Sequence, residues 1–470
     1  MKEAPDISPS WELASVSIGC YAGGERRFLT HQSEGAAVPT MEEQRVPISH
    51  LRVGVFIRLE LPWFKHPFLL GSFKIKSPDQ IRALKELGLS TVICIPEKSD
   101  QQPMAPSDLD AAEKDTGGGR SESDTSLQQA LWNIKNERIV RLKAQRERLN
   151  RCEREFEQAL TRVKDIITNV GMASREVVEN ADTVVKDMVG SLLSDTSVVV
   201  QLMNTKPGGE DIFYHSLNAV VLGLLLGREC GLDADALQKL GLGLIFHDIG
   251  KQRIPKKVLR KQTALTPPEM KLIQLHPKYG QEMIASRVPD FPPEAMTIVV
   301  GHHEALDGSG YPSGLAGEKI PLLVRLASIA NVFDNHCNKL DPATSLTPSQ
   351  ALSFMFRKQA AQLDRSLMAV FIRCLGVYPP GTVVHLSNEG IGMVVGANPR
   401  NTLLPSILLY DPDIPRNEAL IVDMEEEPDL TIVESIHPAK LDPQIFAYLS
   451  PRARVSYFPQ LKGELGSVSR

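Results

Sequence analysis

The chain has no apolar run approaching the ~20 residues of a membrane span. Its longest such stretch lies near residues 219–227, so no membrane-spanning helix is expected. Cysteine is sparse: Cys20, Cys94, Cys152, Cys230, Cys337 and Cys374 are scattered, with no CxxC pair. Neither a disulfide framework nor a zinc ribbon is indicated. Met1-Lys-Glu-Ala-Pro-Asp lacks the basic flank and apolar core of a signal peptide, and a cytoplasmic protein is the expectation. Excess basic charge is missing too. The net charge of −5 gives no electrostatic footprint for DNA. What remains, at 470 residues, 42% hydrophobic and 23% charged, is globular composition with chain enough for two to four domains.

Residues 1–44 carry Ser, Gly, Pro and Glu without periodicity and read as a disordered tail. Alternation from Val46 to Leu59, a short helix signalled by Ser77-Pro78 and closed by Gly88, and the apolar run Thr91–Cys94 make a small α+β module over 45–97. A polar linker follows over 98–126. Residues 127–170 form a charged connecting helix in which Leu142, Leu149, Phe156, Val163 and Val170 recur every seven positions. Arg146 and Glu153 interrupt the companion seam. Two readings stay open: an apolar stripe packed on its own domain, or a short parallel coiled coil making a homodimer through 139–170. Residues 171–376 are helical, with candidate helices at 211–231, 233–246, 266–286, 292–303, 322–337 and 347–374. From 377 to 470 the pattern alternates between Asn- and Gly-containing turns, reading as a small antiparallel β appendage with a tail. The fold class expected is therefore mainly α, with a small N-terminal α+β module and a C-terminal β appendage.

Chemistry concentrates in the helical part. Gly241-Leu-Gly-Leu-Ile-Phe-His247-Asp248-Ile-Gly-Lys251 ends an apolar run in an imidazole and a carboxylate, donors that suit a divalent metal. Alone, a His-Asp pair is weak. Asp211 and His215, four apart, share one helix face; His276 sits in Leu275-His-Pro277; His302-His303 closes another apolar run. Successive helical residues diverge by ~100°, so His302 and His303 would not readily serve one ion alike. They could serve two neighbouring ions, or one could ligate while the other supports. Two ions bridged by a carboxylate such as Asp248 suit phosphodiester cleavage. Spacing alone leaves the substrate open.

The stretch Gly301-His-His-Glu-Ala-Leu-Asp-Gly-Ser-Gly-Tyr-Pro-Ser-Gly-Leu-Ala-Gly-Glu-Lys-Ile-Pro321 resembles the signature of HD-GYP phosphodiesterases. His247-Asp248-Ile-Gly-Lys251, Ile254-Pro, Glu269 and His276-Pro…Gly280 match in order. The module over 45–97, through Leu61-Pro-Trp63 and His66-Pro-Phe68, resembles the uncharacterised domain that often precedes this family. The resemblance covers about 200–340. It implies a helical HD-type fold, hydrolysis of cyclic di-GMP to pGpG or GMP in bacterial second-messenger signalling, and two or three divalent metals, iron or manganese. By resemblance, His215, His247, Asp248, His276, His302 and His303 are metal ligands, and Asp211 is a conditional ligand for a third ion. Lys251 would lie near the scissile phosphate. Gly310, Tyr311 and Pro312 would bind substrate by close backbone approach and aromatic stacking. Arg325 is either a phosphate contact or a helix anchor.

One ligand departs from the family pattern. Where an aspartate is expected, this chain reads Ala330-Asn331-Val-Phe-Asp334. An amide oxygen can coordinate but brings no charge. The usual Thr-x-x-Arg-Pro-Tyr continuation is replaced by His336-Cys-Asn-Lys339-Leu-Asp-Pro. The alternative to an active enzyme is a weak or inactive HD-GYP protein serving as a cyclic di-GMP receptor or scaffold.

Overall fold

The computed structural model describes residues 44–61, 65–68, 71–104, 122–169, 175–194, 199–202, 211–261, 263–288, 290–339, 344–398, 401–412, 414, 416, 419–427, 430–449 and 457–460. The expected tail over 1–44 apart from Gln44, most of the 98–126 linker, and Pro62 and Trp63 lie outside them.

The N-terminal module is a four-stranded antiparallel sheet, β1 (Gln44–Pro47), β2 (Phe56–Arg58), β3 (Ser72–Lys74) and β4 (Thr91–Cys94), in the order β1-β4-β2-β3. Helix α1 (Pro78–Glu86) starts at Ser77 as expected, although the serine side chain makes no capping hydrogen bond. Val55, Ile57, Ile75, Leu84 and Cys94 form its core.

Helix α2 (Glu122–Asn169) is a single 48-residue helix that begins inside the expected linker. Cys152, Phe156, Ala159, Val163, Ile166 and Ile167 are buried in the main core. Phe156 and Val163, the two stripe residues whose side chains are described, therefore pack on their own chain. The main core continues through α3 (Arg175–Ser194), α4 (Asp211–Glu229), α5 (Ala234–Phe246), the short α6 (Lys256–Leu259) and α7 (Pro267–Ile273). Helices α8 (His276–Ala285), α9 (Pro293–Gly301), α10 (Leu322–Cys337), α11 (Pro348–Lys358) and α12 (Arg365–Leu375) complete it. Two expected helices are each a pair. Pro277 cannot donate a helical hydrogen bond and is tolerated only in a first turn, so α8 begins afresh there instead of continuing α7. A break over 359–364, with Asp364 capping α12 through the N–H groups of Ser366 and Leu367, divides the other.

The C-terminal sheet is larger than an appendage. Strands β6 (Val383–Leu386), β7 (Ile391–Gly396), β8 (Ser406–Leu409), β9 (Ile421–Asp423), β10 (Ile432–Ile436) and β11 (Tyr457–Gln460) are joined by β5 (Val199–Leu202). The order is β10-β6-β7-β5-β11, with β8 pairing β7 and β9. A strand from ahead of the histidine-bearing helices thus sits in the sheet that follows them. A last helix, α13 (Pro443–Leu449), carries the buried Leu449. Among the described residues, no helix is long and apolar enough to cross a membrane.

Candidate metal centre

Four helices deliver the histidines. His215 projects from α4, His247 caps the C-terminal end of α5, His276 opens α8, and His302 caps α9. The run Leu242–Phe246 is buried throughout, which holds His247 and Asp248 in the interior. Gly250 permits the next approach. A Cβ there would overlap the carbonyl oxygen of His276 and meet the Gly280 nitrogen at 2.5 Å, so only glycine lets the His247–Lys251 segment lie against α8.

Ring orientation is fixed at four positions. Nδ1 of His247 donates to the Leu244 carbonyl at 2.6 Å, that of His276 to Ile273 at 2.7 Å, and that of His302 to Ile298 and Val299, both at 3.1 Å. Nδ1 of His215 lies 2.6 Å from the Asp334 carboxylate. A carbonyl or carboxylate can only accept, so each Nδ1 carries the proton and each Nε2 presents a lone pair. These lone pairs converge: Nε2 of His215 lies 3.1 Å from Nε2 of His247, and Nε2 of His276 lies 3.1 Å from Nε2 of His302. Two facing lone pairs repel unless a cation lies between or beside them.

Asp248 stands between the two pairs. Its Oδ2 is 3.5 Å from Nε2 of both His215 and His247, and its Oδ1 is 3.3 Å from His276 and 3.7 Å from His302. Oδ1 is buried and accepts no hydrogen bond. An orphaned carboxylate oxygen facing unprotonated imidazoles is the donor set a divalent ion completes. The ligand atoms fall into two groups that share Asp248: His215 with His247, and His276 with His302 and His303, each group lying within 4.8 Å. The residues present fit two ions.

Burial works to raise the Asp248 pKa, but the Lys251 ammonium and the surrounding imidazoles outweigh it and hold the carboxyl well below its usual range. Lys251 Nζ lies 2.5 Å from Oδ2. Burial depresses His247 to about 4 and pushes His302 and His303 well below the usual imidazole value, with neighbouring imidazoles adding to the effect at the latter two. All three are neutral near pH 7, as metal ligands must be.

His302 and His303 do share a pocket, against the expectation from helical geometry. The cap residue His302 keeps right-handed helical backbone angles, yet the two rings lie 4.2 Å apart. Tyr311 stacks on His303 at 4.6 Å, its phenol pKa raised by burial and by Asp248. Gly310 is demanded by space: a Cβ would collide with backbone atoms of His303, Glu304 and Ala305. Pro312 follows Tyr311 through a cis peptide bond.

Sequence reasoning missed two residues. Glu304 is buried, and its two carboxylate oxygens accept the backbone N–H groups of Ser313 (2.7 Å) and Leu315 (2.8 Å), pinning the loop that carries Tyr311. Its signal was a glutamate directly following two candidate ligands. Asp334 orients His215 and also accepts from Asn218 (2.7 Å) and Asn338 (2.8 Å). Three placements differ in kind from the histidines. Asn331 is buried on α10; its Oδ1 accepts from Asn335 at 2.7 Å, and its Nδ2 is buried without a partner. Arg325 ion-pairs at 2.8 Å with Asp364, the cap of α12, an anchoring contact. Asp211 opens α4, but its side chain lies outside the described residues.

A bundle of helices enclosing paired His/Asp ligand groups defines the class: an HD-type, metal-dependent phosphohydrolase domain. The HD domain family pattern matches residues 196–367, and a domain of unknown function (DUF3391) matches residues 43–181, taking in α2 as well as the module. The chain thus carries an HD domain, with a DUF3391 domain ahead of it. It is similar to the cyclic di-GMP phosphodiesterase PA4108 of Pseudomonas aeruginosa, at 26% identity over 78% of this chain and 85% of the relative. The cyclic di-GMP phosphodiesterase response regulator RpfG of Xanthomonas campestris is 30% identical over 38% of this chain and 46% of its own length. The 3'3'-cGAMP-specific phosphodiesterase 1 of Vibrio cholerae is 30% identical over 39% and 42%. The chain thus spans less than half the length of the latter two relatives.

Proposed function

We propose that the chain is a metal-dependent phosphodiesterase that opens cyclic di-GMP to pGpG or GMP. The observation that carries the reading is Asp248, whose two oxygens face two separate sets of imidazole Nε2 atoms. His215, His247 and Asp248 would hold one divalent ion, with Asn331 offering an amide oxygen. Asp248, His276, His302 and His303 would hold the second. Asp211 would serve a third, and iron or manganese suits this mixed imidazole and carboxylate set. When bound, such ions supply a Lewis acid at the phosphoryl oxygen and lower the pKa of water.

The chain's own residues do the remaining work. Lys251, now on Asp248 Oδ2, carries the positive charge nearest the ligands and would neutralise charge growing on the phosphate. Tyr311 offers an aromatic face at the site for a purine, held in place by Glu304 through the loop backbone. Gly310 admits that loop close to His303. The chain is similar both to relatives named for cyclic di-GMP and to relatives named for 3'3'-cGAMP, and cyclic di-GMP is favoured because a relative matched over 78% of this chain carries that name.

Asn331 supports a second reading, a receptor that binds the dinucleotide without cutting it. Its buried Nδ2 lacks a partner, and an amide brings no charge to an ion. The test is turnover of cyclic di-GMP and 3'3'-cGAMP by purified protein of measured metal content, beside His247→Ala. Turnover of cyclic di-GMP by the wild type but not by His247→Ala is expected. Tight binding without hydrolysis in metal-replete protein would overturn the enzyme reading and leave the receptor.

A further inference from the structure

The segment that leaves the metal centre is densely cationic. Over 251–261 the chain reads Lys251-Gln-Arg253-Ile-Pro-Lys256-Lys257-Val-Leu-Arg260-Lys261, six basic side chains in eleven residues with no acid among them. Ile254 and Val258, four apart, are buried and pin the segment to the protein, which leaves the cations around them facing outward. Three of the six are answered: Lys251 by Asp248, Arg253 by Glu282 and Lys261 by Glu269. Lys256, Lys257 and Arg260 are exposed, and no carboxylate among the described residues pairs with them. They leave a local surplus of positive charge on a chain whose net charge is −5.

We propose that Lys256, Lys257 and Arg260 form an electrostatic guide that draws the cyclic dinucleotide to the metal centre and raises its rate of association. The inference rests on the reading above, in which the ligand carries two phosphodiester charges. Lys251 links the two places: its ammonium touches Asp248 while its side chain is 26% exposed, so the patch begins where the site meets solvent. Five residues of chain span at most ~18 Å, which bounds the distance from Lys251 to Lys256. A Debye length of about 20 Å, as at 20 mM salt, lets such charges act on an approaching anion, whereas about 6 Å at 300 mM screens them. The loop that carries Tyr311 bears the exposed Asp307 and Glu318. Those carboxylates repel an anion, so approach is favoured over the basic segment. Exposed charges beside a site change the rate of encounter more than the bound state. A cationic face that served solubility alone would leave that rate untouched.

The experiment neutralises all three in the full, metal-loaded chain, as Lys256→Gln/Lys257→Gln/Arg260→Gln. Stopped flow follows the association of fluorescently labelled cyclic di-GMP, with kcat measured alongside. At about 20 mM salt the association rate constant should fall about 5–10-fold with kcat unchanged, and at about 300 mM the loss should shrink to within about twofold. The charge-keeping Lys256→Arg/Lys257→Arg/Arg260→Lys should match wild type. Neutralising Lys65, Lys85 and Lys440 instead, exposed residues of the two flanking modules, removes the same total charge and should change association by less than about twofold. An unchanged association rate at low salt overturns the proposal, as does a loss that salt does not relieve or that the scattered neutralisation reproduces. Wild-type protein that binds no labelled cyclic di-GMP at either salt overturns the cyclic di-GMP reading and the guide with it. Normal wild-type binding with an unaffected triple variant strikes the guide alone.

Discussion

Asp334→Asn is the sharpest test of how the candidate metal centre is organised. Asp334 Oδ2 receives His215 Nδ1 at 2.6 Å, while Oδ1 receives Nδ2 of Asn218 and Asn338 at 2.7 and 2.8 Å. An amide of the same shape can satisfy only one side. With its oxygen toward His215, its NH₂ faces two donors. Reversed, its NH₂ faces Nδ1, the proton moves to Nε2, and the lone pair that points at His247 and Asp248 is lost. Outer partners of metal-bound histidines are commonly worth 10–100-fold in affinity, or about 1.4–2.8 kcal/mol. The expected result is weaker retention of one ion per chain by that factor, with the ion at His276, His302 and His303 little changed. Elemental analysis after dialysis against graded chelator measures this, and the ring-nitrogen shifts of labelled histidine report the tautomer. If Asp334→Asn keeps both ions at wild-type affinity with His215 still protonated on Nδ1, the carboxylate does not orient the ligand and the reasoning fails.

Asn331→Asp should raise affinity for the ion at His215 and His247 by about tenfold or more, because a carboxylate adds charge where an amide had none. The same change should lower the melting temperature of metal-free protein, since it buries an added charge, and calorimetry with and without metal separates the two effects. Glu304→Gln replaces one of two charge-assisted acceptors with a donor facing a backbone N–H, costing about 2–4 kcal/mol of local stability. It should raise KM for cyclic di-GMP through loosening of the Tyr311 loop while leaving metal content intact; a normal KM would refute the loop's role. Metal-free protein should lose stability as pH falls from 6.5 toward 4. In that window unfolded His247 binds a proton that the folded state, with its pKa near 4, refuses. That one ring accounts for about 3 kcal/mol, and His302 and His303 act with the same sign; urea midpoints at pH 7 and 5 measure the loss.

The clustering of the candidate metal centre was legible in sequence to the extent that its chemistry is local. His247-Asp248 and His302-His303 end buried apolar runs, and that signal belongs to the residues themselves. The partnership of His215 with Asp334 spans 119 positions, and nothing in the composition around Asp334 distinguishes a carboxylate that orients a ring from one that caps a helix. Strand β5 was hidden for the same reason: four residues in a helical stretch become a strand only because β7 and β11, some 190 and 260 positions later, offer ladder partners. The heptad stripe of α2 shows the converse limit. Phe156 and Val163 carry the period of a dimer seam, yet a helix packed on its own bundle presents an apolar stripe of much the same kind. Period alone does not say which chain covers it, and here the described part is covered by α3 and α4. His303 shows why a local rule can mislead. The ~100° step separates the directions of successive Cα–Cβ bonds, and the His302 and His303 rings still come within 4.2 Å of each other.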